Sequence, residues 1–433
     1  MIPTSEQPYP LPERWQWIQV GSLVKIFRGV SYKKSDAHDK KQSGDCLIIR
    51  GGNITEGNIT TNSSDNIFIN KNFVTESQLI KQNDIIIVAS TGSKKVIGRA
   101  GISNQTYPDV SFGAFLMLVR PLPNVNPRYV DYFFQSNFYR NRIRNLAKGT
   151  NINNIRTEHI TDMPIPLPSL DEQQRIVALL DELFGKLDEA KALAQAVVDG
   201  SKLRRAAILH KAFTGELSKH WRNEHGTTLD SWQRCQLGDV CQINPPKIST
   251  QDLSNDLEVS FVPMAAVSDV RGEITAPQKK PLREVKSGFT NFAEGDVIFA
   301  KITPCMENGK AALVGELVNH IGYGSTEFFV LRCREKIINR FVYHLVRWQI
   351  FRNEAKSVMA GAVGQQRVPK RFLTDYQLNL PPLEEQKEIV RLLNDLLGGE
   401  QRTKDLALKT IERVELMKKS ILAQAFRGEL GTN

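Results

Sequence analysis

Two stretches of the chain repeat each other. Residues 168–217, PSLDEQQRIVALLDELFGKLDEAKALAQAVVDGSKLRRAAILHKAFTGEL, and residues 381–430, PPLEEQKEIVRLLNDLLGGEQRTKDLALKTIERVELMKKSILAQAFRGEL, align without a gap at an offset of 213, with 21 of 50 positions identical. The flanks repeat more weakly. Trp15-Gln16 with Val20-Gly21 matches Trp232-Gln233 with Leu237-Gly238, and Asn83-Asp84-Ile85-Ile86 matches Gly295-Asp296-Val297-Ile298. Gly149 and its polar run match Gly364-Gln365-Gln366-Arg367. Self-similarity at one fixed offset means that a unit is written twice, and a fold for one half must serve for both. The repeat divides the chain into two variable blocks, residues 1–165 and 219–378, each followed by a helical spacer, residues 166–218 and 379–433.

The spacers carry helical periodicity. Ile176, Leu180, Leu183, Leu187, Ala190, Ala194 and Val197 step alternately by four and three residues, a heptad seam. Ile389, Leu393 and Leu396 start the same spacing, and Ile411, Val414, Ile421 and Ala425 continue an apolar face. Ser169 with Glu172 reads as a capping box at the first start. Gly200 and the pair Gly398-Gly399 are expected to loosen or break the helices, since Gly inside a helix costs about 1 kcal/mol relative to Ala. A helix of about 45 residues spans roughly 65–70 Å. Such a stripe cannot be buried alone, so the two helices are expected to pack on each other and hold the two blocks apart.

The blocks read as mixed α/β, making the chain α+β with a pseudo-twofold repeat. Ile85–Val88 and Val297–Ala300 are expected buried strands, with Phe115–Val119 and Glu327–Leu331 beside them. Gly51-Gly52-Asn53, Glu56-Gly57-Asn58 and Thr91-Gly92-Ser93 are turn signals, and 128–146 and 339–358 are expected helices with aromatic residues on one face.

Composition narrows the function. The formal net charge is +10. Residues 1–160 hold 20 Lys and Arg against 12 Asp and Glu, whereas 376–433 are balanced at nine of each. Basic blocks of this kind suit a polyanion. Five cysteines with no CxxC spacing suit a reducing compartment, the cytoplasm, and rule out a dense disulfide framework. The N-terminal stretch lacks the pattern of a secretory signal, and no apolar run nears the roughly 20 residues that span a bilayer. No membrane role is expected.

Motifs of catalysis are missing. Asn244-Pro245-Pro246-Lys247 has Lys where a base methyltransferase needs an aromatic residue, and no strand–GxGxG–helix unit accompanies it. The stretch 92–99 lacks the Lys-Ser/Thr ending and spacing of a phosphate loop. Glu284-Val285-Lys286 after Asp269 is a common triplet, better read as a solvated strand or loop than as a nuclease site. The histidines and cysteines show no zinc spacing, and Cys235 and Cys241 read as small hydrophobes. No catalytic residue and no metal site is expected.

The polar loops offer a nucleic-acid surface instead. In the first block the candidates are Arg28, Tyr32, Lys33 and Lys34, then Arg50 and Asn53, then Ser93, Lys94, Lys95 and Arg99, then Arg140, Arg142, Arg144, Lys148, Asn151, Asn153 and Asn154. In the second they are Lys279, Lys280, Lys301, Thr303, Lys310, Gln365, Gln366, Arg367, Lys370 and Arg371. Arg and Lys meet phosphates and guanine edges, and Asn and Gln pair with adenine. Two diverged blocks on a shared frame would read two different half-sites; centres roughly 34–36 Å apart would meet one face of the duplex.

The segments PLPSLDEQQRIVALLD and LPPLEEQKEIVRLLN, each closing in AF-x-GEL, resemble the specificity (S) subunits of type I restriction-modification systems, and the likeness covers nearly the whole chain. RGVSYKK at Arg28–Lys34, SFGAF at Ser111–Phe115 and the GTNINNI run resemble a recurrent recognition-domain type there. The resemblance implies a subunit that is not itself an enzyme. Each recognition domain reads half of a bipartite double-stranded DNA site, and the two long helices pair as an antiparallel coiled coil that sets the spacer. Two modification subunits dock on it and methylate adenine N6 with S-adenosylmethionine; restriction subunits add ATP- and Mg-dependent cleavage. A self-sufficient methyltransferase or nuclease would instead bind S-adenosylmethionine as an isolated chain. A protein-binding scaffold would ignore salt, whereas a reader with about 6–10 phosphate contacts loses roughly 10³–10⁵ in affinity between 50 and 200 mM salt.

Overall fold

The computed structural model describes residues 7–55, 57–62, 66–147, 153–362 and 364–431. The chain forms two compact units, one of residues 1–195 with 409–433, the other of residues 196–408. The two longest helices, Leu170–Phe213 and Leu383–Arg427, each contribute one stretch to each unit. Both run unbroken through their glycines, so the expected interruption at Gly200 or Gly398-Gly399 does not occur. A cost of about 1 kcal/mol per Gly is small beside the burial of a long apolar face.

In the first unit, a sheet runs in the order Val24–Arg28, Leu116–Pro121, Ile85–Val88, Ala100–Ile102, Gly57–Ile59, Ile54–Thr55. A second sheet runs Val110–Phe112, Asp45–Ile49, Ile67–Asn70, Ala37–His38. Ile85–Val88 is buried along its whole length, which explains its continuous apolar run. The helical stretch after it is two helices, Pro127–Gln135 and Asn137–Leu146, the second capped by the Ser136 hydroxyl, which accepts from Tyr139 N–H at 3.3 Å. Tyr129, Phe133 and Phe134 from the first of these enter one core with Ile176, Leu180 and Phe184 of the first long helix and Leu422, Ala425 and Phe426 of the second.

The second unit repeats this plan. One sheet runs Cys241–Ile243, Phe328–Cys333, Val297–Ala300, Ala311–Leu313, and the other pairs Glu258–Val262 in parallel with Gly322–Gly324. Helices Asn339–Arg347 and Gln349–Ser357 bring Phe341, Leu345 and Phe351 to a core shared with Leu209, Ala212, Ile389 and Leu393. A buried carboxylate–guanidinium fork recurs as well: Arg120 holds Asp84 at 2.6 Å and Arg332 holds Asp296 at 2.7 Å.

Within each unit the start of one long helix meets the end of the other, so the pair is antiparallel. In the first unit Lys191 pairs with Glu415 and Lys418 with Asp188, both at 2.5 Å. In the second Arg204 forks onto Glu400 at 2.8 and 3.0 Å. The buried face is wider than the seam read from the sequence, because each helix packs on its recognition block too. Ile176 and Leu180 are buried as expected, joined by Val177 and Phe184, while Leu183 and Leu187 are half-buried at the edge and Val197 is half-buried. Ile389, Leu393 and Val414 are buried, and Ile411 and Ile421 half-buried. Leu396 corrects the expectation: it is 43% exposed, and Leu397, one position on, packs against the core instead. Leu397 stands one turn beyond Leu393, on the side that packs on the recognition block, and the packing there rather than the helix pair alone sets the buried face.

The helix starts are fastened by a glutamine. Gln173 is buried; its Oε1 accepts from Asn126 N–H at 2.9 Å, and its Nε2 donates to the Pro168 carbonyl at 3.0 Å. Gln386 is also buried; its Oε1 accepts from Ile338 N–H at 2.9 Å, and its Nε2 donates to the Lys336 and Pro381 carbonyls at 3.0 and 2.8 Å. Only half of the expected capping box forms: the Ser169 hydroxyl accepts from Glu172 N–H at 3.4 Å, but the Glu172 carboxylate takes Arg175 instead. Its counterpart Glu385 is fully buried and holds Arg222 at 2.5 Å, Ser218 at 2.7 Å and the Trp232 indole at 2.8 Å. The GEL endings turn the chain back. Gly215 has φ +77° and Gly428 φ +74°, helix-terminating conformations that suit glycine. A Cβ on Gly428 would lie 2.5 Å from Pro12.

Replacing Gln386 by Ala is expected to destabilise the protein by about 2–4 kcal/mol, because the Ile338 N–H and two carbonyls lose a buried partner. Lys387→Ala, at an exposed neighbouring position, is expected to stay within about 0.5 kcal/mol. Equilibrium denaturation of the two variants checks this, and equal midpoints would contradict it.

Candidate nucleic-acid interface

In the first unit, separate polar loops are drawn together around one turn, residues 112–116. Val30 N–H donates to the Phe112 carbonyl at 2.8 Å, and Gly113 N–H to the Ile49 carbonyl at 3.0 Å. Ala89 and Ser90 N–H groups both donate to the Phe115 carbonyl, at 2.9 and 3.0 Å. Ser90-Thr91 pairs in turn with Asn154-Asn153, and Ile155 N–H donates to Ala89 at 2.7 Å. The approach at Gly29 needs glycine: a Cβ there would sit 2.1 Å from the Gly113 carbonyl oxygen. Four segments distant in sequence thus meet, bearing Arg28, Lys33 and Lys34, then Arg50, then Ser93, Lys94 and Lys95, then Asn154, all exposed. Tyr32 is half-buried against Val30, Ile48 and Ile69.

Several expected contacts are instead parts of the scaffold. Arg140 is 7% exposed and donates to the Ile97 and Lys95 carbonyls at 2.7 and 2.8 Å. It anchors the loop that carries Lys94 and Lys95. Alternate residues on a helix point roughly 200° apart, so Arg140, Arg142 and Arg144 cannot share one face. Tyr139 and Ile143 mark the buried face, which takes Arg140 with it; Arg142 and Arg144 are exposed. Asn53 is buried, accepting from Arg50 N–H and donating to the Thr60 carbonyl, both at 2.9 Å. Asn153 is buried and donates to the Thr91 carbonyl at 3.3 Å. Arg99 is half-buried and donates to the Ile54 carbonyl at 3.2 Å. Lys148 and Asn151 lie outside the described residues.

The second unit places the equivalent loops by the same bonds. Lys301 N–H donates to the Glu327 carbonyl, and Val368 N–H to Lys301, both at 2.9 Å. Thr303 N–H donates to the Gln366 carbonyl at 3.0 Å, and the Thr303 hydroxyl accepts from Gln366 N–H at 3.2 Å. The charge is different. Arg367 forks onto the Glu327 carboxylate at 2.8 and 3.0 Å, which holds that carboxyl below its usual range. Lys310 donates to the Met264 carbonyl at 3.0 Å, and Arg371 pairs with Asp375 at 2.9 Å. Lys280 lies 4.6 Å over the Phe261 ring, and Lys301 5.7 Å over the Phe329 ring. Lys279, Gln365 and Lys370 are exposed, and Gln366 half-buried. Among the described residues no cluster of three or more His, Cys, Asp or Glu is placed to hold a metal, and no helix is long and apolar enough to cross a membrane.

One residue at the centre of the first loop cluster, expected in a buried strand from Phe115 to Val119, stands outside it, since the strand begins at Leu116. Phe115 is 68% exposed, in the turn to which the loops are tied. Its counterpart in the second unit is Glu327.

A family model described as "Type I restriction modification DNA specificity domain" matches residues 12–197 and 230–413. The chain is 33% identical over 427 residues to the type I restriction enzyme StySPI specificity subunit of Salmonella potsdam, covering 97% of this chain and 90% of the relative. It is 30% identical over 429 residues to the EcoKI specificity subunit of Escherichia coli K12, with the same coverage of 97% and 90%. Among solved structures, the HsdS subunit from Thermoanaerobacter tengcongensis matches with TM-score 0.61 at 21% identity, covering 99% of this chain and 100% of that one. A chain from a structure titled for complex assembly and conformational transition of the type I R-M system matches with TM-score 0.70 at 20% identity, covering 98% and 100%.

Arg140→Ala is expected to lower the thermal midpoint by several degrees, since two carbonyls of the 95–97 loop lose their partner. The double substitution of Arg142 and Arg144 by Ala is expected to leave it within about a degree, because both side chains are exposed. Calorimetry of the two variants decides; the reverse order would contradict the assignment.

Proposed function

Since the chain belongs to the family of type I restriction-modification DNA specificity subunits, we propose that it is the non-catalytic reader of a bipartite DNA site. Each recognition block reads one half of the site. The paired long helices set the spacer between the halves and offer the docking surface for two modification subunits. Those subunits carry S-adenosylmethionine and methylate adenine N6, one on each strand; restriction subunits that join through them carry ATP and Mg. The assembly works in the cytoplasm, where the DNA is.

The observation that carries the reading is the gathering of four exposed polar segments around the 112–116 turn of the first unit, with the same backbone bonds repeated in the second. Cations in such a cluster neutralise phosphates without regard to sequence. Amides and guanidinium groups among them can read base edges. The divergence supports two different half-sites. The first cluster carries Lys33, Lys34, Lys94 and Lys95 at exposed loop positions, and the second couples Arg367 to Glu327. A carboxylate beside a guanidinium suits a cytosine amine next to a guanine edge, rather than a run of phosphates.

In cells that carry this chain and its modification subunits, sequencing that detects N6-methyladenine is expected to show a split motif with one modified adenine in each half, absent when the chain is deleted. A methylation pattern unchanged by the deletion would contradict the reading.

A further inference from the structure

We propose that Phe115 is a stacking wedge for the half-site of the first unit, a ring that presses between or against bases once the surrounding loops have engaged the backbone; this rests on the DNA-reading role argued above. A single exposed hydrophobic residue on a surface is ordinary. Three features set this one apart. First, its backbone is fixed: the Phe115 carbonyl accepts two hydrogen bonds, from Ala89 and Ser90, and Leu116 N–H closes the turn onto Gly113 at 2.8 Å. A ring on a fixed backbone loses little freedom when it inserts. Second, the residues before it, Gly113 and Ala114, have almost no side chain to shield it, and the ring stays 68% exposed. Third, the segments tied to its turn carry Arg28, Lys33, Arg50 and Lys94. These suit phosphates, and a phosphate surface offers nothing apolar for a phenyl ring to meet. The apolar parts of duplex DNA are the base faces, the thymine methyl groups and the deoxyribose carbons, and of these the base faces give an aromatic ring its strongest contact. A phenyl ring reaches the faces by prising a base step apart, as apolar wedges in other DNA-bending proteins do.

The second unit sharpens the inference. Its equivalent turn carries Glu327, whose carboxylate is engaged by Arg367 at 2.8 Å. A charged, paired side chain cannot stack between bases. The two halves of the site would therefore be read by different physics on one frame: deformation plus contacts in the first, hydrogen bonding in the second. A wedge also reads sequence indirectly, because pyrimidine–purine steps open most readily.

The test uses the full chain in complex with its modification subunits, and cognate duplexes with 2-aminopurine placed at successive positions of both halves. Beyond the rise that flipping of the target adenine gives in each half, the wild-type complex is expected to raise the fluorescence at one further step, in the half read by the first unit only. Phe115→Ala is expected to abolish that rise and weaken cognate binding roughly ten- to a hundredfold, the range for loss of a base–aromatic stack. Binding to a scrambled duplex is expected to stay unchanged, and Phe115→Leu to keep most of the signal, since leucine also serves as a wedge. Phe115→Ala with cognate affinity and fluorescence equal to wild type would overturn the wedge alone. An equal loss on cognate and scrambled duplexes would overturn it too, by showing that the ring supports the loops. A wild-type complex that does not tell cognate from scrambled DNA would overturn the DNA-reading role, and the wedge with it.

Discussion

The buried glutamines Gln173 and Gln386 join recognition blocks to the helices that follow them. Each stands one turn into a long helix and reaches back to the backbone that opens the aromatic helix of its own block, at Asn126 or Ile338. A side-chain amide has both an acceptor and donors, so one residue can close a backbone N–H and a carbonyl at once. Glutamate in its place would lack the donor. The direction in which each block leaves its helix follows from these bonds, together with the strand pairs Gln16–Gln19 with Pro164–Leu167 and Gln233–Gln236 with Gln377–Leu380. Loops can then diverge freely, because their frame does not depend on them.

Divergence on a constant frame is what a reader of two half-sites needs. The same backbone bonds place the 89–91 and 301–303 segments, yet the side chains differ in charge, size and pairing. The neighbouring carboxylates show the same economy. Glu385 is buried in a four-group network with Ser218, Arg222 and Trp232, while Glu172 at the matching position stays partly exposed and bonds within its own helix. One position of the repeat is thus an internal junction and the other a surface ion pair.

Much of this was legible in the sequence. The duplication, the helical spacers, the buried strands at 85–88 and 297–300 and the paired helices all follow from periodicity and self-alignment, since burial imposes a regular pattern. The site was legible only in outline. Residue type and loop placement picked out the right segments, but could not separate Lys94, which is exposed, from Arg140, which holds that loop in place. Asn53 and Asn153 look like adenine readers and act as turn staples, because a short amide bonds the nearest backbone when the chain folds tightly around it. Leu396 was misplaced by one residue because the heptad reading counted only the partner helix, whereas the recognition block also packs on this helix and draws Leu397 inward. Phe115 was read into the buried strand it precedes, because an aromatic at the head of an apolar stretch reads as core; its exposure in the folded chain marks it out.

The central claim is that each block reads its half independently of the other. Exchange of residues 12–165 for the corresponding block of a relative, with both long helices left intact, tests it most directly. Mapping of N6-methyladenine in cells carrying the exchanged chain is predicted to show one half of the motif replaced, with the other half and the spacer length unchanged. A motif altered in both halves, or a changed spacer, would contradict the claim.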